Sequence, residues 1–336
     1  MIKTLLWGMI ILALISTLVC QSQGDSQMKN PATKQSVVIG VFAESMEDIP
    51  PVYQFAASLR EFGGKLKDTP IRLYVADYSD IDPAVITDQA KQLGIEVRTS
   101  SAPENSLWLF YAGKVYAAGQ AESDADGNAD ILVWVDIDTI VLQEPLAFLL
   151  EPGICFAYRP VMHNRSGTLY GRPPGVFWDR IYNDLKIDRS KLFEMTTPAD
   201  QQKINAYFNA GLLIMRPEKG IMRTWVRDFE TLYNDSTLVE MCRENVDYRI
   251  FLHQTALVGL LNNIKRSEMI ELSDQYNYPL FFEQMFGATR EFGSIENVTT
   301  LRYESYFRNP DPEWTTKLKG PQDRIDWLKE HLVSND

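Results

Sequence analysis

Five apolar residues in a row, Ile131-Leu132-Val133-Trp134-Val135, run directly into Asp136-Ile137-Asp138-Thr139. A strand with one wet face alternates apolar and polar side chains. An unbroken apolar run is what a strand covered on both faces needs, and such strands are typical of parallel sheets. The chain is therefore expected to hold a doubly buried strand whose C-terminal end carries two carboxylates. Residues two apart on extended backbone point the same way, so Asp136 and Asp138 can face one point. Open α/β sheets bind ligands just outside those carboxyl ends. Two hard oxygen ligands there suit Mg2+ or Mn2+ bridging a diphosphate. The structural alternative is an acidic pair that caps the next loop. Two further Asp-x-Asp pairs, Asp80/Asp82 and Asp124/Asp126, lie in polar turns and read as solvated surface acids.

The flanking pattern agrees with a parallel sheet. Ser36 to Ala43 reads as a first buried strand, Val52 to Phe62 as a helix stopped by Gly63-Gly64, and Ile71 to Ala76 as a second strand. Pro83 to Leu93 is a second helix closed by Gly94, and Ile95 to Arg98 a third strand. This β-α-β-α-β order with short connections predicts parallel strands covered by helices. Ala112 to Glu122 suits a helix and Ser123 to Asp130 a polar turn. Ile154 to Tyr158 is a further strand, and residues 159–205 mix prolines, glycines and charges without clean periodicity, as a substrate-facing excursion would. Regularity returns at Tyr207 to Met215, with helices over Lys219–Tyr233 and Phe251–Leu261. The fold class expected is α/β, a single Rossmann-like domain with a mostly parallel central sheet flanked by helices.

Of the 336 residues, 45% are hydrophobic and 11% aromatic, enough for a sizeable core. The net charge of −12 argues against a nucleic-acid partner and against adhesion to an anionic lipid surface. A nucleotide ligand stays open, since acidic residues can hold a diphosphate through a metal. Cys20, Cys155 and Cys242 suggest neither a disulfide scaffold nor a zinc site. Cys155 and Cys242 are two buried thiols or a pair in an oxidising compartment. The apolar run Leu5 to Cys20 follows Lys3 and precedes a polar stretch. Its 16 residues fall short of a comfortable transmembrane helix and resemble a signal core. A cleaved signal peptide, a short signal anchor and a lipoprotein signal at Cys20 compete. The division expected is 1–22 signal or anchor, 23–35 polar stem, 36–320 main α/β domain and 321–336 C-terminal helix or tail. The expected location is at a membrane through the N-terminal segment, with the body on a non-cytoplasmic, Golgi-lumen-like side or exported.

The stretch Val133-Trp134-Val135-Asp136-Ile137-Asp138-Thr139-Ile140-Val141 resembles the donor-site strand of GT-A glycosyltransferases, above all family 8, the glycogenin and galactosyltransferase-like group. Three segments follow in that family's order. The helix with Lys114 and Tyr116 resembles the one before its metal motif, Phe208-Asn209-Ala210-Gly211 its Asn-Ala-Gly turn, and Asp274-Gln275-Tyr276-Asn277 its Tyr-Asn element. The resemblance implies a GT-A fold and retaining transfer of a sugar from a nucleotide-diphosphate donor, a UDP-sugar, to a glycan, protein or lipid acceptor. It implies that Asp136 and Asp138 hold the metal, Mn2+ or Mg2+, with the donor's phosphates and ribose. Ala43 and Lys114 would line the donor site, and Asn209, Ala210 and Gly211 would meet the donor sugar or the acceptor. Read without the family, Gly211 marks a tight turn and Asn209 a local cap.

Two departures stand out. The family places Asp-Gln where this chain has His253-Gln254, so Gln254 remains and a histidine replaces the acid. The family's third metal ligand, a late histidine, is missing from Thr300-Leu301-Arg302-Tyr303-Glu304-Ser305, which leaves Glu304 as the substitute oxygen ligand. His163 and His331 read as loop and surface residues. Two other readings are carried forward: a GT-A-like protein that binds sugars or nucleotides without transfer, and an exported binding lipoprotein.

Overall fold

The computed structural model describes residues 35–280, 294–303 and 314–332. The N-terminal signal or anchor (1–22), most of the stem and Glu304 lie outside the described residues. No helix among the described residues is long and apolar enough to cross a membrane.

Strand β1 (Val37–Ala43) leads into α1 (Ile49–Phe62), which opens on two prolines in its first turn, where a missing N–H costs nothing. β2 (Ile71–Ala76), α2 (Pro83–Gln92) and β3 (Ile95–Ser100) follow, then α3 (Ala112–Ala125) and β4 (Ile131–Val135). The chain turns into β5 (Thr139–Val141) and continues through β6 (Phe156–Tyr158), α4 (Val176–Asp184), β7 (Glu194–Thr196), β8 (Lys203–Asn205) and β9 (Leu212–Met215). Helices α5 (Ile221–Tyr233), α6 (Ser236–Glu244) and α7 (Val246–Thr255) come next. Short strands β10 (Met269–Glu271), β11 (Tyr278–Pro279) and β12 (Thr300–Arg302) and helix α8 (Gln322–Leu332) complete the described elements.

Among the described residues, seven strands form one sheet in the order β10-β6-β9-β4-β1-β2-β3. Every pairing in it is parallel except those of β9, which runs antiparallel to β4 and β6. The unbroken apolar run of β4 has the expected cause. Leu132 and Trp134 point into a core shared with α3, α5 and α7, while Ile131, Val133 and Val135 point into a second core beneath α1 and α2. Truncating a side chain such as Trp134, which has no exposed surface, costs roughly 3–5 kcal/mol.

Helix α3 is Ala-rich because it is squeezed between sheet and helix. A Cβ added to Gly119 would sit 2.5 Å from Val226 Cγ2 on α5. It also runs three residues beyond the expected stop at Glu122, through Ala125, because Ala125 is itself fully buried.

The segment 159–205 is less irregular than its composition suggests. It contains α4, which buries Phe177, Trp178, Ile181 and Tyr182 against the main core, and the hairpin β7–β8. The expected helix over Phe251–Leu261 starts earlier, at Val246, where Asn245 Oδ1 accepts from the Asp247 and Tyr248 N–H groups. Its second half tightens into a 3-10 helix over Ala256–Asn262. A small sheet, β11-β12-β5, and α8 share a third core built on Ile140, Leu301, Ile325 and Leu328. Cys155 and Cys242 are buried free thiols, so the pairing alternative falls away.

Candidate active site

The carboxyl end of β4 is where three parts of the sequence converge. The Asp136 N–H donates to the Gly211 carbonyl at 2.9 Å, which carries the β4–β9 ladder one step beyond both strands. The Thr139 N–H donates back to the Asp136 carbonyl at 3.2 Å, turning the chain into β5. β5 pairs antiparallel with β12, and the register sets Arg302 opposite Thr139. The strand pairing thus delivers the Arg302 side chain to the two aspartates.

Arg302 Nε and Nη2 donate to the two carboxylate oxygens of Asp138, at 3.0 and 3.2 Å. The same Nη2 lies 3.0 Å from Asp136 Oδ2. Lys114, in the first turn of α3, closes an ion pair with Asp136 Oδ1. The four side chains keep between 9% and 17% of their surface, so the cluster is nearly dry but not sealed from solvent. Charge-assisted bonds of this kind are the strong ones, and the Arg302–Asp138 pair is bidentate. A cation in the first turn of a helix opposes the helix dipole, so Lys114 is held there by its partner rather than by local preference. Burial pushes the Asp136 carboxyl up, but the charges of Lys114 and Arg302 outweigh it and hold the group below the usual carboxylate range. Burial draws the Lys114 ammonium down, and Asp136 draws it part of the way back.

The Asn-Ala-Gly turn forms the opposite wall. Asn209 Oδ1 accepts from the Gly211 N–H at 2.8 Å and from Asn277 Nδ2 at 3.0 Å. The Ala210 N–H donates to Gln254 Oε1 at 3.1 Å. Gly211 is required by close approach: a Cβ there would lie 2.5 Å from Arg302 Nη1 and 2.9 Å from Asp136 Oδ2. Asn277 adopts a left-handed backbone with φ 53°, a conformation asparagine tolerates. Its own N–H donates to Thr300 Oγ1 at 2.8 Å, so it fastens the turn to β12, two residues before Arg302.

His253 is buried on α7, with Nδ1 on the Ile250 carbonyl at 2.8 Å and its ring 4.7 Å from that of Tyr111. Burial, then the charge of Lys114, lowers its pKa to about 3, so it is neutral at ordinary pH. Nδ1–H then donates to the carbonyl and Nε2 is an acceptor. Ala43 ends β1 on the same edge of the sheet, but the whole residue is buried in the second core, so it offers no surface to a ligand here. The expected site residues Asp136, Asp138, Lys114, Asn209, Ala210, Gly211, His253 and Gln254 therefore share one locality. Arg302 carried no role in the sequence reading, because only the pairing of β12 with β5 aims it. Tyr111, left-handed at φ 63° just before α3 and about half exposed, was missed for the same kind of reason.

The metal expected at Asp136 and Asp138 can be tested against these contacts. Mg2+ and Mn2+ favour an octahedral set of oxygens. Among the described residues no group of three or more His, Cys, Asp or Glu side chains is placed to hold a metal ion. Both aspartates are already paired with cations, and Glu304 lies outside the described residues. In this arrangement the residues present do not fit a divalent ion.

Comparison with known proteins bears on this geometry. Among curated protein sequences none matches the chain. Among solved structures, the galactosyltransferase LgtC in complex with donor and acceptor sugar analogues is 14% identical, with a TM-score of 0.48 over 89% of this chain and 97% of that one. The glycosyltransferase GlyE of Streptococcus pneumoniae TIGR4 is 13% identical, with a TM-score of 0.44 over 90% of this chain and 62% of that one. The apo bifunctional glycosyltransferase WbbM is 12% identical, with a TM-score of 0.50 over 91% of this chain and 51% of that one. At such identities the likeness concerns the fold, which is GT-A. In sequence, the Rhodobacterales glycosyltransferase domain matches residues 51–263, from α1 to the end of the α7 region. That stretch is well over half of the chain, and the protein belongs to the Rhodobacterales glycosyltransferase domain family.

Proposed function

We propose that this glycosyltransferase-family protein moves a sugar from a nucleotide-diphosphate donor, a UDP-sugar as first choice, to a hydroxyl of a glycan, protein or lipid acceptor. The observation that carries the reading is the ion-paired cluster of Asp136, Asp138, Lys114 and Arg302 at the carboxyl edge of the parallel sheet. Fixed charges in a nearly dry setting suit a diphosphate, whose charge grows as the sugar departs. Asp138, held on both carboxylate oxygens by Arg302, is the residue assigned to the ribose hydroxyls. The Asn209–Gly211 turn, held by Gln254 and Asn277, gives the sugar a rigid wall, and rigid placement is what brings two reactants to bonding distance. The exposed ring of Tyr111 beside His253 offers an apolar face on which a pyranose can rest.

Resemblance to family 8 extends the proposal to retention of the anomeric configuration, which proton NMR of the first-formed product reads directly. The membrane-linked, non-cytoplasmic location remains part of the proposal and rests on residues 1–22 alone. Calorimetry with UDP and GDP on the full chain tests the donor site. Micromolar binding of one nucleotide, lost in Asp136→Ala/Asp138→Ala, is expected. Absence of binding by either nucleotide to the folded protein overturns the reading.

A further inference from the structure

We propose that Lys114 and Arg302 take the place of the divalent cation at this donor site, so that the protein binds and cleaves its nucleotide-sugar without metal. The inference rests on the donor-site reading above and goes beyond it in naming what neutralises the diphosphate.

The charges balance. Two aspartates in a metal site bring two negative charges, and a divalent ion cancels them before the donor's two negative charges arrive. Here Lys114 and Arg302 supply the same two positive charges from the chain itself. They are paired with the same two carboxylates, with Nη2 of Arg302 spanning Asp136 and Asp138 at 3.0 and 3.2 Å. A metal added to this cluster would put two more positive charges beside a guanidinium that cannot be deprotonated.

The cation's seat is also built. β12 pairs with β5 so that Arg302 faces the Asp136–Asp138 turn. Asn277 braces that strand through Thr300. Gly211 clears the space that Arg302 fills, since any Cβ would meet Nη1 at 2.5 Å. A planar guanidinium presents several N–H groups in one fork, so it can hold carboxylates on one side and phosphate oxygens on another. Lys114 adds a point charge from the opposite side of Asp136.

In the transfer step, the bond from the anomeric carbon to the terminal phosphate oxygen breaks and its electron pair stays on that oxygen. The acceptor hydroxyl oxygen forms the new bond to the same carbon, and the hydroxyl proton leaves on the departing diphosphate. The products are the glycosylated acceptor and the nucleoside diphosphate. No oxidant or reductant enters. Arg302 and Lys114 meet the charge that accumulates on the leaving oxygen, the task otherwise given to a Lewis acid.

The test is calorimetric titration of the full chain with UDP and GDP in EDTA and, separately, in Mn2+, together with electron paramagnetic resonance of free Mn2+ over the protein without nucleotide. Binding in EDTA within about threefold of that in Mn2+, with no Mn2+ taken up by the protein alone, is expected. Arg302→Ala should weaken binding in EDTA at least tenfold. Arg302→His, which offers an imidazole in place of the cation, should lose binding in EDTA and regain it in Mn2+. Wild-type binding abolished by EDTA and restored by Mn2+ would overturn the inference while leaving the donor-site reading intact. Failure of the folded wild type to bind either nucleotide in either buffer would overturn both. The wild-type comparison needs no variant, so it stands even where Arg302→Ala does not fold.

Discussion

Arg302 holds Asp138 through two parallel N–H···O bonds, 3.0 Å from Nε and 3.2 Å from Nη2, although 163 residues intervene in the chain. Asp138 lies directly before β5, the strand that β12 pairs with, and the same Nη2 reaches on to Asp136 beyond the end of β4, so Arg302 ties the small sheet to the large one. The candidate site and the domain architecture therefore share a residue. Loss of Arg302 would be felt both in binding and in how β12 lies on β5.

Lys114 and Asp136 form a buried pair, and the cost of breaking such a pair lies mostly in the charge left behind. Lys114→Met should destabilise the fold by about 3 kcal/mol, and Asp136→Asn by a similar amount. Lys114→Met combined with Asp136→Asn should lose less than the sum of those two single changes, with a coupling of about 1–3 kcal/mol. Urea unfolding of the four proteins measures this. Additive losses would show that the two charges do not rely on each other.

Gly211→Ala separates the two meanings a glycine can have. Were Gly211 needed for a left-handed turn, alanine would cost stability first. The contacts predict otherwise, since a Cβ would displace the Arg302 guanidinium and the Asp136 carboxylate. Nucleotide affinity should fall at least tenfold, about 1.4 kcal/mol, with a smaller change in unfolding free energy. Calorimetry beside thermal melts gives the comparison.

Asn277 makes the same separation for backbone and side chain. Its φ of 53° suits glycine as well as asparagine, whereas its side chain donates to Asn209 and its N–H to Thr300. Asn277→Gly should keep the backbone and lose one hydrogen bond, about 1 kcal/mol. Asn277→Ala should lose that bond and add left-handed strain of roughly 1–2 kcal/mol more. Equal losses in the two variants would show that the side-chain bond to Asn209 carries the whole effect.

What the sequence made legible follows the range of the interactions. β4 was evident because burial on both faces leaves a local mark, five apolar residues without a break. β1 and β2 and helices α1, α2, α3 and α5 were evident from periodicity and from Pro and Gly punctuation close in sequence. Helix α4 was hidden in 159–205 because four buried residues, Phe177, Trp178, Ile181 and Tyr182, are too few to set a period amid prolines and glycines. The carboxylates of the site could be named because Asp136 and Asp138 lie at a predictable strand end. Of their partners, Lys114 was named only through the family resemblance and Arg302 not at all: Lys114 is 22 residues upstream of Asp136 and Arg302 is 164 residues beyond Asp138, and only sheet register and helix packing join them. Asn209 and Gly211 were legible through the family motif, but the reason for the glycine, the guanidinium packed over it, is a contact between distant segments.

His253 gives the last expectation, a pH dependence of stability. In the unfolded chain a histidine titrates near 6.5, whereas burial and the charge of Lys114 lower the pKa of His253 to about 3 in the fold. A folded pKa below the unfolded one means that the unfolded chain takes up the proton first. Stability is therefore whole above about pH 6.5 and drains as pH falls below it, at about 1.4 kcal/mol per pH unit, reaching about 2 kcal/mol at pH 5. Asp136, whose pKa is lowered in the fold, loses its own contribution only below the unfolded carboxylate range near pH 4, outside this window. His163 is also lowered by burial and adds a slope of its own to every protein that keeps it, so it cancels in a difference. His253→Gln should lower stability at pH 7.5, since the ring contacts with Tyr111 and Trp225 go, yet flatten the decline between pH 6.5 and 5 by about one proton. Urea unfolding at half-unit pH steps on both proteins reads that slope. Parallel curves would mean that His253 titrates in the fold as it does in the unfolded chain, and that the burial argued here does not hold it neutral.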